Sequence, residues 1–185
     1  YASLAAVAAA VAVATLATTG CVGGSKTQSP EDKERLKSFV VDALPSTAKK
    51  LDANFENKIH LIGYRAEPES APPGTEVKLT YYWRCDDPIE AGWALSTHIQ
   101  HEGFERPDNA DGVGALREWK DGVQIFGPSR WERGKIYVDE QTYRMPAELR
   151  GPDSLVYLSI WKNDARLRII SGLTDGENRV LVVKL

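Results

Sequence analysis

The 185-residue chain carries 23 basic and 26 acidic residues for a net charge of -3, and 42% of it is hydrophobic. This balance fits a globular protein with room for one ordinary domain plus a targeting or tethering segment. Basic and acidic residues are mixed along the chain with no basic stripe to neutralise a phosphate backbone, which excludes nucleic acid as a partner.

Residues 1–20, YASLAAVAAAVAVATLATTG, hold no charged side chain and read as the apolar region of an export signal. The lack of an initiator Met, and of Lys or Arg ahead of the stretch, suits a sequence that begins inside the signal. Small residues leading into Cys21 resemble the lipobox of bacterial lipoproteins, in which the Cys thiol is acylated and becomes the mature N-terminus. Gly20 and Cys21 match that pattern, whereas Thr18 stands where Leu is usual. The resemblance implies lipidation at Cys21, a membrane partner reached through that anchor, and a place in the bacterial cell envelope, in the periplasm or at the outer membrane. An uncleaved transmembrane helix is the alternative, since about 20 apolar residues can span a bilayer, although an Ala/Thr-rich stretch inserts less favourably than a Leu-rich one.

Residues 21–28 are short, polar and Gly/Ser-rich, a flexible tether. Residues 29–52 are expected to form one amphipathic helix and a connection. Ser29 offers a hydroxyl cap, Pro30 suits the first helical position, and Glu31 and Asp32 place carboxylates in the first turn. Leu36, Phe39, Val40, Ala43 and Leu44 recur at helical spacing up to Pro45, a stripe suited to docking on a core.

Residues 53–185 change rhythm. Seven short runs, at 58–65, 76–85, 92–101, 135–145, 154–161, 166–170 and 179–185, are separated by turn signals such as Pro72-Pro73-Gly74, Asp86-Asp87-Pro88 and Gly151-Pro152-Asp153. With no helical period between them, they predict an all-β domain of about seven antiparallel strands. In EVKLTYYWRC, Val77, Leu79, Tyr81, Trp83 and Cys85 alternate with polar neighbours, which places Cys85 on an apolar face as a buried, inert thiol.

Taken in order, PPGTEVKLTYYWRC, THIQHEG, DNADGVG, GPSRWERGKIYVDEQTYRMPAEL and VYLSIWKNDARLRI resemble an Ig-like β-sandwich module of bacterial exported proteins, similar to the C-terminal module of membrane mannosyltransferase-like glycosyltransferases. The resemblance covers residues 57–172 and rests on order and spacing. It includes His98 before a Gly turn, a Trp-x-x-Gly corner at Trp131 to Gly134, Asp139, Pro146, and the pair Arg166-Leu167. It implies an Ig-like sandwich and an accessory role, with no established chemistry. GALREWKDGVQIFG, residues 114–127, is longer than the family's usual link.

The stretch STHIQHEGFERPDNADG, residues 96–112, gathers two of the three histidines with Glu102, Asp108 and Asp111. On a strand, His98 and His101 point to opposite faces, which disfavours a shared zinc; His98 is expected as a hydrogen-bonded core residue. Asp108 and Asp111, in a Gly-turned and oxygen-rich loop, are the candidate ligands for calcium, although Asx turns explain the same composition. Carboxylates for acid/base work would be Asp108, Asp111, Asp139 and Glu140, yet the sequence sets no pair across a cleft; Asp139 also suits hydrogen bonding to an Arg or to the Trp corner. Among the five Trp and seven Tyr, Trp93, Trp119, Trp131 and Tyr143 lie near turns and are the candidate ligand-binding rings. Trp83, Trp131 and Trp161 also suit a role in pinning two sheets together. The functional expectation is a non-catalytic, membrane-tethered module that binds a glycan, a peptide or an envelope protein, with no catalytic residues and no cofactor unless calcium. The alternative is an envelope hydrolase using the Asp/His-rich loops.

Overall fold

The computed structural model describes residues 28–185. The apolar stretch, Cys21 and nearly all of the tether lie outside the described residues, within which no helix is long and apolar enough to cross a membrane.

Helix α1 (Pro30–Lys37) starts where the sequence signals it. The Ser29 hydroxyl accepts the Asp32 amide at 3.0 Å while the Asp32 carboxylate accepts the Ser29 amide at 3.4 Å, a reciprocal cap that satisfies two otherwise orphaned donors. The helix is shorter than its apolar stripe predicts. Ser38 ends it, and Phe39 and Val40 turn into strand β1 (Val40–Val41), which pairs with Tyr137 and Ile136. Two β-branched valines beside an open sheet edge gain more from ladder bonds than from another helical turn.

The remaining strands are β2 (Lys49–Phe55), β3 (Ile59–Glu67), β4 (Glu76–Cys85), β5 (Ala94–His101), β6 (Asp108–Asn109), β7 (Trp119–Lys120), β8 (Val123–Gln124), β9 (Ile136–Arg144), β10 (Ser154–Lys162), β11 (Ala165–Arg166), β12 (Ile169–Ser171) and β13 (Val180–Lys184). All pairings are antiparallel. The larger sheet runs β1-β9-β4-β3-β2-β12; the smaller runs β11-β10-β5-β6 with β13 also on β10; β7 and β8 form a separate hairpin. The described residues are thus mostly antiparallel β with one short α-helix.

The seven expected strands are joined by shorter ones that the sequence did not announce. β2 begins inside the segment read as a connection, because KKLDANF alternates only weakly while its partner β3 supplies the register. The run at 166–170 is divided between sheets. Arg166 pairs with Trp161, whereas Ile169 pairs with Phe55, so one stretch caps the open edges of both sheets.

Among the described residues, a buried cluster draws Leu61, Tyr81 and Trp83 from the larger sheet and Leu95, Ile99, Val156 and Leu158 from the smaller. In β4 the predicted inward set, Val77 to Cys85, is fully buried. Trp83 lies 5.8 Å from Phe55 and 6.3 Å from Trp131, which stacks on Tyr137 at 4.7 Å. The Trp-x-x-Gly corner closes on β4: the Gly134 amide, at φ 78°, donates to the Cys85 carbonyl at 2.7 Å.

Candidate functional site

The outward face of the smaller sheet holds a cleft, and the strand alternation accounts for it. In β5, Leu95, Thr97 and Ile99 face the core, which sends Ala94, Ser96 and His98 to the other side. In register on β10 stand Trp161 opposite Ala94, Ser159 opposite Ser96, and Tyr157 opposite His98. Small side chains between large rings hollow the face. The cleft of about 390 Å³ is lined by Ser96, His98, Asn109, Asp111, Trp161, Asn163, Asp164, Ala165 and Arg166, a size within the roughly 300–1,000 Å³ usual for small-ligand sites. Asn109 is the cross-strand partner of His98. A tight turn with Asn163 at φ 53° brings Arg166 back beside Trp161.

The polar groups of this cleft differ in how fully they are used. Asp111 is engaged: it accepts the Thr97 amide at 2.7 Å and the Asn109 side chain at 3.1 Å, while its own amide donates to Asn109 at 2.8 Å. His98 is half-buried, and its Nδ1 finds no hydrogen-bond partner among the described residues; neither does the Trp161 ring N–H. Burial holds the His98 imidazole below its usual value; the Asp111 carboxylate pulls it back up, and the guanidinium groups of Arg179 and Arg166 push it further down. Arg179 is occupied by Asp175 and Glu177. Arg166 is half-buried and has no ion pair among the described residues.

Residues 114–127, which read as an overlong link, bring Trp119 up to Trp161, a lining residue of the cleft. Gly114 begins the segment at φ 101°, where a Cβ would lie 2.2 Å from the Glu140 carbonyl oxygen; only glycine lets the chain lie so close to β9. A turn of 3-10 helix (Ala115–Arg117) then drives Leu116 and Arg117 into the interior. There the Arg117 guanidinium donates to Asp139 at 2.8, 3.0 and 3.2 Å, and Trp83 Nε1 donates to the same carboxylate at 3.3 Å. Gln124 acts as a further strand for β5, accepting the Leu95 amide at 2.8 Å and donating to the Leu95 carbonyl at 2.9 Å. Pinned at both ends, the β7–β8 hairpin holds Trp119 39% exposed with its ring 6.3 Å from that of Trp161.

The other sequence-derived candidates lie elsewhere. His101, not His98, is the buried histidine. Its Nδ1 meets the Ser154 hydroxyl at 2.7 Å and its Nε2 meets Tyr143 Oη at 3.0 Å and Asp108 at 3.3 Å. Tyr143 donates to the same Asp108 carboxylate. Ser, His and Asp stand in one line, but His101 and Ser154 are both at 0% exposure, so the hydroxyl faces no substrate space. Asp108 and Asp111 turn to different partners, and among the described residues no three His, Cys, Asp or Glu side chains cluster as a metal site. Asp139 is sealed in the core with Arg117, apart from His98 and Asp111; Glu140 is exposed and pairs with Lys78 at 2.8 Å. Trp131 is 3% exposed with its ring N–H donated to the Phe126 carbonyl, a core residue in place of a ligand platform. Trp93 is half-buried with Lys162 over its ring. Of the four candidate rings, only Trp119 stands at the cleft.

Trp161 and Arg166 were missed as site residues. The signal was present in SLVYLSIW, where Val156, Leu158 and Ile160 occupy one face and put Trp161 on the other with Tyr157 and Ser159. Expecting a tryptophan to pin the sheets overrode that parity. Compared with known proteins, the chain matches no family model, and no curated protein matches it.

Proposed function

We propose that this protein is a non-catalytic binding module of Ig-like β-sandwich type, held in the bacterial cell envelope by a lipid on Cys21, and that its cleft holds a glycan. The observation that carries the reading is the pair of rings, Trp161 in the cleft and Trp119 beside it at 6.3 Å, with Asn109, Asp111 and Arg166 at their edges. Aromatic faces take the C–H side of a sugar ring, and planar polar side chains at the rim meet its hydroxyls. The tether is supported by the uncharged stretch that ends at Cys21. A hydrolase has less support, because in the Ser154–His101–Asp108 alignment the hydroxyl and the imidazole are sealed from solvent.

Screening the full chain on a glycan array, followed by titration of intrinsic tryptophan fluorescence, tests the reading. A retained glycan should quench fluorescence in the native protein. Trp119→Ala should weaken it about tenfold, the equivalent of ~1.4 kcal/mol and within the range of a ring contact, and Trp161→Ala should weaken it further, both with unchanged circular dichroism. No retained glycan, or affinities untouched by both variants, overturns the reading. A peptide ligand lost with the same variants replaces the glycan with a peptide.

A further inference from the structure

Among the cations around the cleft, Arg166 has a singular position. Arg179, over the Tyr157 ring at 5.4 Å, is neutralised by Asp175 and Glu177, and Lys162 by Glu90 at 3.0 Å. Arg166 is half-buried against the cleft, the direct strand partner of Trp161, and carries no carboxylate partner among the described residues. The acids that line the same cleft make no ion pair with it: Asp111 accepts the Thr97 amide and the Asn109 side chain, and Asp164 is exposed on the turn. The other groups nearby with unmet hydrogen-bonding capacity are the Trp161 ring N–H and His98 Nδ1.

From this juxtaposition we infer that the ligand is an acidic sugar, a uronic acid whose carboxylate is gripped by Arg166 while its ring lies on Trp161; the inference rests on the glycan reading above. A carboxylate on a pyranose projects from the ring edge in roughly the plane of the ring. Neighbouring strands lie about 4.8 Å apart, so a sugar seated over the β10 tryptophan directs such a group sideways toward β11, where Arg166 stands. The guanidinium fork matches a carboxylate with two parallel hydrogen bonds. One unpaired cation also suits a singly charged sugar better than a phosphate dianion.

The test uses two probes on the full chain, an oligogalacturonide and the same oligosaccharide with its carboxyl groups reduced to alcohols. Native protein should prefer the acid by about tenfold or more at low salt, with the preference shrinking as salt is added. Arg166→Gln should erase the preference, weakening the acid probe about tenfold more than the neutral one with the melting temperature unchanged, and Arg166→Lys should restore part of it. Equal binding of both probes, or a preference that survives in Arg166→Gln, overturns the inference and leaves the glycan reading standing. Binding of neither probe overturns the inference when the array has retained another glycan, and overturns both when it has retained none.

Discussion

Arg117→Met keeps most of the length of the side chain and removes its charge. In the native protein three hydrogen bonds from Arg117 and one from Trp83 converge on Asp139, and both members of the ion pair are at 0% side-chain exposure. Breaking such a pair from one side costs ~3–5 kcal/mol, because the remaining charge is left buried without compensation. Urea denaturation followed by circular dichroism should therefore give a deficit against native protein of ~3–5 kcal/mol. Adding Asp139→Asn, which keeps an acceptor for Trp83 and removes the charge, should recover much of the loss. A deficit below ~1 kcal/mol, or no recovery in the double variant, refutes the assignment of Arg117 as the counter-charge that docks residues 114–127.

Two further predictions concern titratable groups. His98 should titrate below the ordinary imidazole value of about 6.5 in a histidine NMR titration, and lower still in Asp111→Asn, since Asp111 is the group that raises it. With its folded pKa depressed, His98 lends stability above about pH 6.5 that is lost as pH falls toward the folded value, and a midpoint above 6.5 contradicts the burial that causes the shift. Cys85 is a buried free thiol pushed up to about 11, first by burial and then by Asp86 and Asp87; native protein should resist a thiol reagent at about pH 8 and react on unfolding, and rapid native reaction would place it at the surface.

Much of this protein was legible in its sequence because the relevant forces are local. Period-two alternation specified β4 and its buried face, capping chemistry set the start of α1, and turn residues separated the main strands. What local patterns could not supply were decisions made between distant segments. Helix α1 stops at Lys37 because the edge of β9 competes for Val40 and Val41. The run at 166–170 serves two sheets because each offers an open edge. The choice between His98 and His101 followed from which face of β5 meets β9, a parity that alternation separates but cannot orient for a strand so mixed in polarity.

Alternation along β5 and β10 sets which side chains face the cleft, but its assembly belongs to this second category. Trp119 stands near a turn in a segment, 114–127, that reads only as an overlong link, and it becomes part of a site only when Arg117 reaches 22 residues along the chain to Asp139. That buried pair and the Gln124 bridge to Leu95 bring a hairpin against a sheet with which it shares no sequence pattern. Composition and periodicity determined that the chain would form antiparallel strands around an aromatic core. Tertiary packing alone decided which tryptophans that core would absorb, and that Trp119 and Trp161 would meet outside it, with Arg166 beside Trp161.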